Sequence, residues 1–91
     1  MSRQPLVVTA PKVTDLASAP ALESDLASAP DGTDVLVDCS AVEFMDSTGL
    51  RVLLAARNRQ LESGGSLAVK SPSRPVRRLL QITDMVDLIE D

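Results

Sequence analysis

The chain has 91 residues and a formal charge of −4, with nine basic residues against thirteen acids and 44% hydrophobic residues. That length holds one core, and the scattered basic residues exclude the positive stripe that nucleic-acid binding needs. There is no histidine, one cysteine (Cys39) and one aromatic residue (Phe44). The commonest general base and metal ligand are therefore missing, an internal disulfide is impossible, and Leu, Val and Ala must do the packing.

No apolar run approaches the ~18 residues of a membrane span, and no basic start with an apolar h-region marks a signal peptide. These features predict a soluble, cytosolic, non-enzymatic domain without cofactor or metal.

The first apolar run, Leu6-Val7-Val8, lies between Pro5 and Pro11 and predicts a strand at about 5–10. A helix follows, with Pro20 in its first turn, Leu22 and Leu26 on one face, and Pro30-Asp31-Gly32 as the turn that ends it. Asp-Leu-Ala-Ser-Ala-Pro occurs at 15–20 and again at 25–30, but a structural repeat has a far longer period.

Val35-Leu36-Val37 is continuous rather than alternating and predicts a buried strand. The loop Cys39 to Met45 comes next. The most regular segment then runs from Ser47 to Ser63, where Leu50, Leu53, Leu54 and Leu61 form one helical stripe. Arg57 lies on the same stripe, with its stem snorkelling. Gly64-Gly65 ends the helix.

Leu67-Ala68-Val69 predicts a third strand, and Ser71-Pro72-Ser73 opens a third helix with Val76, Leu79 and Leu80 inward. Asp84 falls where a left-handed residue would close that helix. Val86, Leu88 and Ile89 suggest a final strand. The order β-α-β-α-β-α-β implies an α/β fold with a mostly parallel sheet of about four strands and helices packed on it. Sites in such sheets form beyond the C-terminal strand ends, which here means the loop 38–49.

Asp46-Ser47-Thr48-Gly49 ends that loop and starts the strongest helix. Asp, Ser and Thr are all good helix caps, worth about 1 kcal/mol. The same place also suits a modified hydroxyl, because a helix N-terminus accommodates phosphate. Phosphorylation would add about −1.5 to −2 charges, close in sequence to Asp38, Glu43 and Asp46. Local chemistry leaves both readings open.

Other groups read more simply. Asp38, Glu43 and Asp46 fit strand-end caps better than a Mg²⁺ cluster. Cys39 fits a small buried hydrophobe better than a redox sensor. Arg74, Arg77 and Arg78 fit a solvated helix face, with an acidic partner as the alternative. Lys12 and Lys70 lie near no catalytic motif, and no Walker-type glycine loop is present.

Three segments carry a family resemblance. Val35 to Leu54 (VLVDCSAVEFMDSTGLRVLL), Asp15 to Leu22 (DLASAPAL) and Ser73 to Ile89 (SRPVRRLLQITDMVDLI) resemble STAS domains, and within them the bacterial anti-sigma factor antagonists. The resemblance spans about 12–89. It implies that Ser47 is phosphorylated by an anti-sigma factor serine kinase, that the unphosphorylated form binds this kinase and frees the sigma factor, and that a PP2C-type phosphatase reverses the modification. It also implies that Asp15 and Asp46 lie beside Ser47, with Thr48 and Gly49 shaping the turn, in a monomer or weak dimer.

Lys12-Val13-Thr14 stands where the family has Gly-Glu-Leu, and Arg51 and Asp84 each stand where it has Gly. Measured against the family pattern, 1–91 is expected to be a single, shortened domain lacking the usual first strand and last helix. Arg51 sits four residues after Ser47 on the same helix face, where it is placed either to pair with a phosphate or to remain a solvated arginine. The rival function is a non-phosphorylated STAS subunit that docks the ATPase of a lipid-transport complex.

Overall fold

Three branched aliphatic runs pair side by side and set the frame. A computed structural model describes residues 4–90. In it β1 (Leu6–Thr9), β3 (Asp34–Asp38) and β5 (Ser66–Lys70) form a parallel sheet in the order β1-β3-β5. The register is Val8 opposite Val37 and Val37 opposite Val69. A second, two-residue parallel pair joins β2 (Val13–Thr14) to β4 (Phe44–Met45). The helices are α1 (Ala19–Ala27), α2 (Ser47–Glu62) and α3 (Arg74–Ile82).

The core lies between the helices and one sheet face. Val8, Val35, Val37, Leu67 and Val69 point into it, with Leu22 and Leu26 from α1, Leu50 and Leu53 from α2, and Val76 and Leu80 from α3. The opposite sheet face is open, with Val7 exposed and Leu36 and Ala68 half-buried. Arg59 of α2 ties that helix to α1 by donating from Nη2 to the Leu26 carbonyl at 2.7 Å. A cation at the C-terminal end of α1 is favourably placed for that helix dipole. The Arg57–Asp87 pair at 3.5 Å is a surface contact of little energetic weight.

The expected fourth strand is different in kind. Val86–Leu88 form a 3-10 turn, and only Ile89 continues the sheet, through one parallel bridge to Val69. The 3-10 conformation of Val86–Leu88 leaves only Ile89 extended enough to pair. The short β2 and β4 were invisible in the sequence, because two residues carry no periodicity. Asp84 does take the left-handed conformation, with φ of 59°, and Gly64 closes α2 with φ of 92°.

The α2 stripe needs one correction. Leu61 is 51% exposed, and Gln60 takes the buried position instead, at 1%. Its neighbour on the inner face, Ala56, is also buried. Near the helix end the chain turns back through Gly65, whose N–H donates to the Gln60 carbonyl at 2.8 Å. This closure seals Gln60 inside and leaves Leu61 outside. Neither the Oε1 nor the Nε2 of Gln60 has a hydrogen-bond partner among the described residues. An unsatisfied buried amide costs about 1–3 kcal/mol. Gln60→Met, of similar length, is therefore expected to raise stability by about 1–2 kcal/mol. Urea unfolding checks this as a higher midpoint at unchanged slope, and a lower midpoint would contradict it.

Candidate functional site

The sequence around Ser47 folds from two strand ends inward. β2 and β4 pair with Thr14 opposite Met45, so the next residues, Asp15 and Asp46, emerge side by side. The Asp46 N–H donates to the Thr14 carbonyl at 3.2 Å and fixes this juncture. Thr14 is wholly buried, and its hydroxyl donates to the Pro11 carbonyl at 3.2 Å.

Each aspartate is engaged in its own turn. Asp15 Oδ1 accepts from the N–H groups of Ala17 (3.0 Å) and Ser18 (3.1 Å), and the Ser18 hydroxyl accepts from the Asp15 N–H at 3.0 Å. These reciprocal bonds close the turn 15–18 that leads into α1, whose N-cap, Ser18, makes no side-chain cap bond to the helix. Asp46 is the N-cap of α2, and its Oδ1 accepts from Thr48 N–H (2.9 Å) and Gly49 N–H (3.3 Å).

The capping role thus belongs to Asp46. Ser47, the first residue of α2, is exposed, and no hydrogen bond engages its hydroxyl among the described residues. Arg51 is exposed one turn further along. Together with Thr48, Val52, Leu16 and Pro20 it lines a largely apolar groove of about 370 Å³ between α1 and α2.

Three exposed apolar side chains surround this corner: Leu16 at 78%, Phe44 at 50% and Val13 at 42%. Val13 and Phe44 are in register across the β2–β4 pair. None of the three stood out in the sequence. The available signal was that the sole aromatic residue lies in the loop 39–45 beside Glu43 rather than in a strand run.

The flanking groups do not converge on a metal. No cluster of three acid or cysteine ligands forms among the described residues. Asp38 accepts from Ser40 N–H at 2.9 Å. That bond, then the Ser40 hydroxyl, and then the charge of Lys70 hold its carboxyl below the usual range. Cys39 is fully buried, and burial pushes its thiol up to about 12, with the Asp38 charge adding to the effect. It carries no thiolate at neutral pH and is a core residue rather than a nucleophile.

The relatives share this architecture. A family model described as "Mlab, STAS domain" matches residues 1–90. The chain belongs to the STAS domain family. It is 36% identical over 77 residues to the anti-sigma-B factor antagonist of Bacillus subtilis, covering 84% of this chain and 71% of that protein. The fold of an anti-sigma-factor antagonist domain protein from Planctomyces limnophilus superposes with a TM-score of 0.77 at 22% identity, over 97% of this chain and 83% of that one. A putative anti-sigma factor antagonist from Thermotoga maritima gives 0.75 at 24% identity, over 98% and 80% of the two chains.

In this STAS domain Gly49 sets how closely α2 approaches the strand ends. A Cβ there would lie 2.6 Å from Thr14 Cγ2, 2.9 Å from Met45 Cγ and 3.1 Å from the Thr14 carbonyl oxygen. Two of these atoms belong to buried side chains and the third is backbone, so none can yield cheaply. Alanine in a helix gains about 1 kcal/mol over glycine, whereas overpacking costs about 1–3 kcal/mol. Gly49→Ala is expected to lower stability by up to about 2 kcal/mol net, measured by thermal or urea unfolding. A stabilised variant would show that the approach of α2 to Thr14 is looser than described.

Proposed function

We propose that this STAS domain is an anti-sigma factor antagonist switched by phosphorylation of Ser47. It acts as a binding module, not as an enzyme. Unphosphorylated, it binds an anti-sigma factor serine kinase in the cytoplasm and frees the sigma factor; phosphorylated, it lets go, and a PP2C-type phosphatase restores it. The observation that carries this reading is the division of labour at the start of α2: Asp46 caps the helix, and the Ser47 hydroxyl stays exposed and unengaged.

The physical effect of the modification follows from that arrangement. A phosphate on Ser47 would bring about −1.5 to −2 charges beside the Asp46 carboxylate, which already holds the Thr48 and Gly49 N–H groups. Those donors are not free to welcome a second anion. The new charge must stay outward, on the surface a partner would cover, and Arg51 on the next turn is the nearest cation of α2 able to pair with it. Binding is then lost by charge at the interface, without unfolding of the helix.

The exposed Phe44, Val13 and Leu16 support an apolar contact around that charge. Interface energy concentrates in such anchors, with aromatic truncations costing about 2 kcal/mol or more.

The test uses protein isolated from its own cells together with the cognate anti-sigma kinase. Mass spectrometry is expected to find phosphate on Ser47. Ser47→Ala is expected to bind the kinase, and Ser47→Asp to bind at least about tenfold more weakly, a loss of roughly 1.4 kcal/mol. Arg51→Ala is expected to alter phosphorylation or dephosphorylation rates; unchanged rates and affinity would remove Arg51 from the switch.

Phe44→Ala is expected to weaken kinase binding about tenfold or more while leaving the melting temperature nearly unchanged. A large fall in melting temperature would assign Phe44 to stability instead. A second reading has one observation in its favour, the description of the matching family model. There the domain would be a non-phosphorylated docking subunit of a lipid-transport ATPase complex. Equal binding by Ser47→Ala and Ser47→Asp, with no phosphate found, would support it.

A further inference from the structure

The outer face of α3 is a concentration of positive charge that the rest of the molecule does not answer. Arg74, Arg77, Arg78 and Gln81 fall at i, i+3, i+4 and i+7 and surround a shallow concavity of about 360 Å³. All four are exposed. The helix contains no acid, and among the described residues the only salt bridge is Arg57–Asp87, between α2 and the 3-10 turn. Like charges three and four residues apart on one helix face repel, and no ion pair among the described residues offsets them. Arg74 is also the first residue of the helix, where the dipole disfavours a cation. This arrangement sits in a chain of net charge −4.

The face also lies at the functional end of the sheet. Ser73 N–H donates to the Cys39 carbonyl at 3.2 Å, and α3 packs against β4, the strand that leads into Ser47. We propose that this face docks an acidic segment of a protein partner, with two or three carboxylates spaced along about 6 Å, the rise from Arg74 to Arg78. Arginine forks suit carboxylates in both geometry and charge.

Two other anionic classes fit less well. Duplex nucleic acid needs a longer basic stripe and would be repelled by the acidic remainder. An anionic membrane favours helices with a free apolar face, but Val76 and Leu80 of α3 are spent in the core. The proposal does not depend on whether Ser47 is phosphorylated.

The experiment is an amide-resonance titration of the whole domain. The probe is an alanine-based helical peptide with glutamates at i, i+3, i+4 and i+7. Controls are the matching glutamine peptide, a glutamate peptide of the same composition with its acids spread around the helix, a short DNA duplex, and vesicles containing phosphatidylglycerol.

The clustered glutamate peptide is expected to shift resonances of residues 74–82 and to bind at least about tenfold more weakly when salt is raised to ~0.3 M. The R74Q/R77Q/R78Q variant is expected to lose the response while keeping its circular dichroism and melting temperature. Ser47→Asp is expected to respond like the parent, so failure of the switch and failure of this docking face are separate results.

No shift in α3, an equal response to the dispersed peptide, or tighter binding of duplex or vesicles would overturn the proposal. So would self-association in sedimentation velocity that the triple variant abolishes, which would assign the face to a second copy of the chain.

Discussion

The join between the end of β2 and the first turn of α2 is the constraint on which the rest of the molecule depends. One backbone hydrogen bond, Asp46 N–H to the Thr14 carbonyl, holds two strand ends level. Because Gly49 has no side chain, α2 can press onto Thr14 and Met45 there. From that fixed start α2 runs across the sheet with Leu50 and Leu53 inward. Its far end is tied to α1 through Arg59 and Leu26. The position of Ser47 is thus set by backbone pairing and close packing, not by its own side chain.

That arrangement gives neighbouring residues separate tasks. A cap must turn its oxygen back onto the helix amides, whereas a residue that meets a partner must turn outward. One hydroxyl cannot do both at once. Asp46 takes the first task, and its short carboxylate reaches two N–H groups. Ser47, one position later, is exposed, and its hydroxyl is unengaged among the described residues. Around it the surface mixes an apolar rim of Leu16, Val13 and Phe44 with the positive α3 face beyond β4. A surface of this composition suits a partner that is apolar near the hydroxyl and acidic to one side.

The legible parts of the fold were those with long signals. The three sheet strands stand close to where their branched residues lie, and α2 spans nearly its expected range. The left-handed close at Asp84 was readable because α3 has to end there. Failures came where few residues decided the outcome. β2 and β4 have two residues each, and a 3-10 turn replaces most of the last strand. The Leu61 and Gln60 positions differ by one step around the helix, about 100°. Which of them is buried depends on how the chain turns back through Gly65 and covers that side of α2.

The sequence by itself determined the α/β class, the parallel order of alternating elements and the start of α2 within Asp46 to Gly49. These follow from composition, period and local turn chemistry, which act within a few residues of one another. Only the tertiary structure decided which of three good capping residues caps α2, since that choice depends on the direction in which β4 enters the helix. It alone also exposed the single aromatic residue on the β2–β4 pair, and left the α3 arginines without a salt bridge among the described residues. Each of these is a matter of what lies across a gap from residues distant in the chain, and packing settles it.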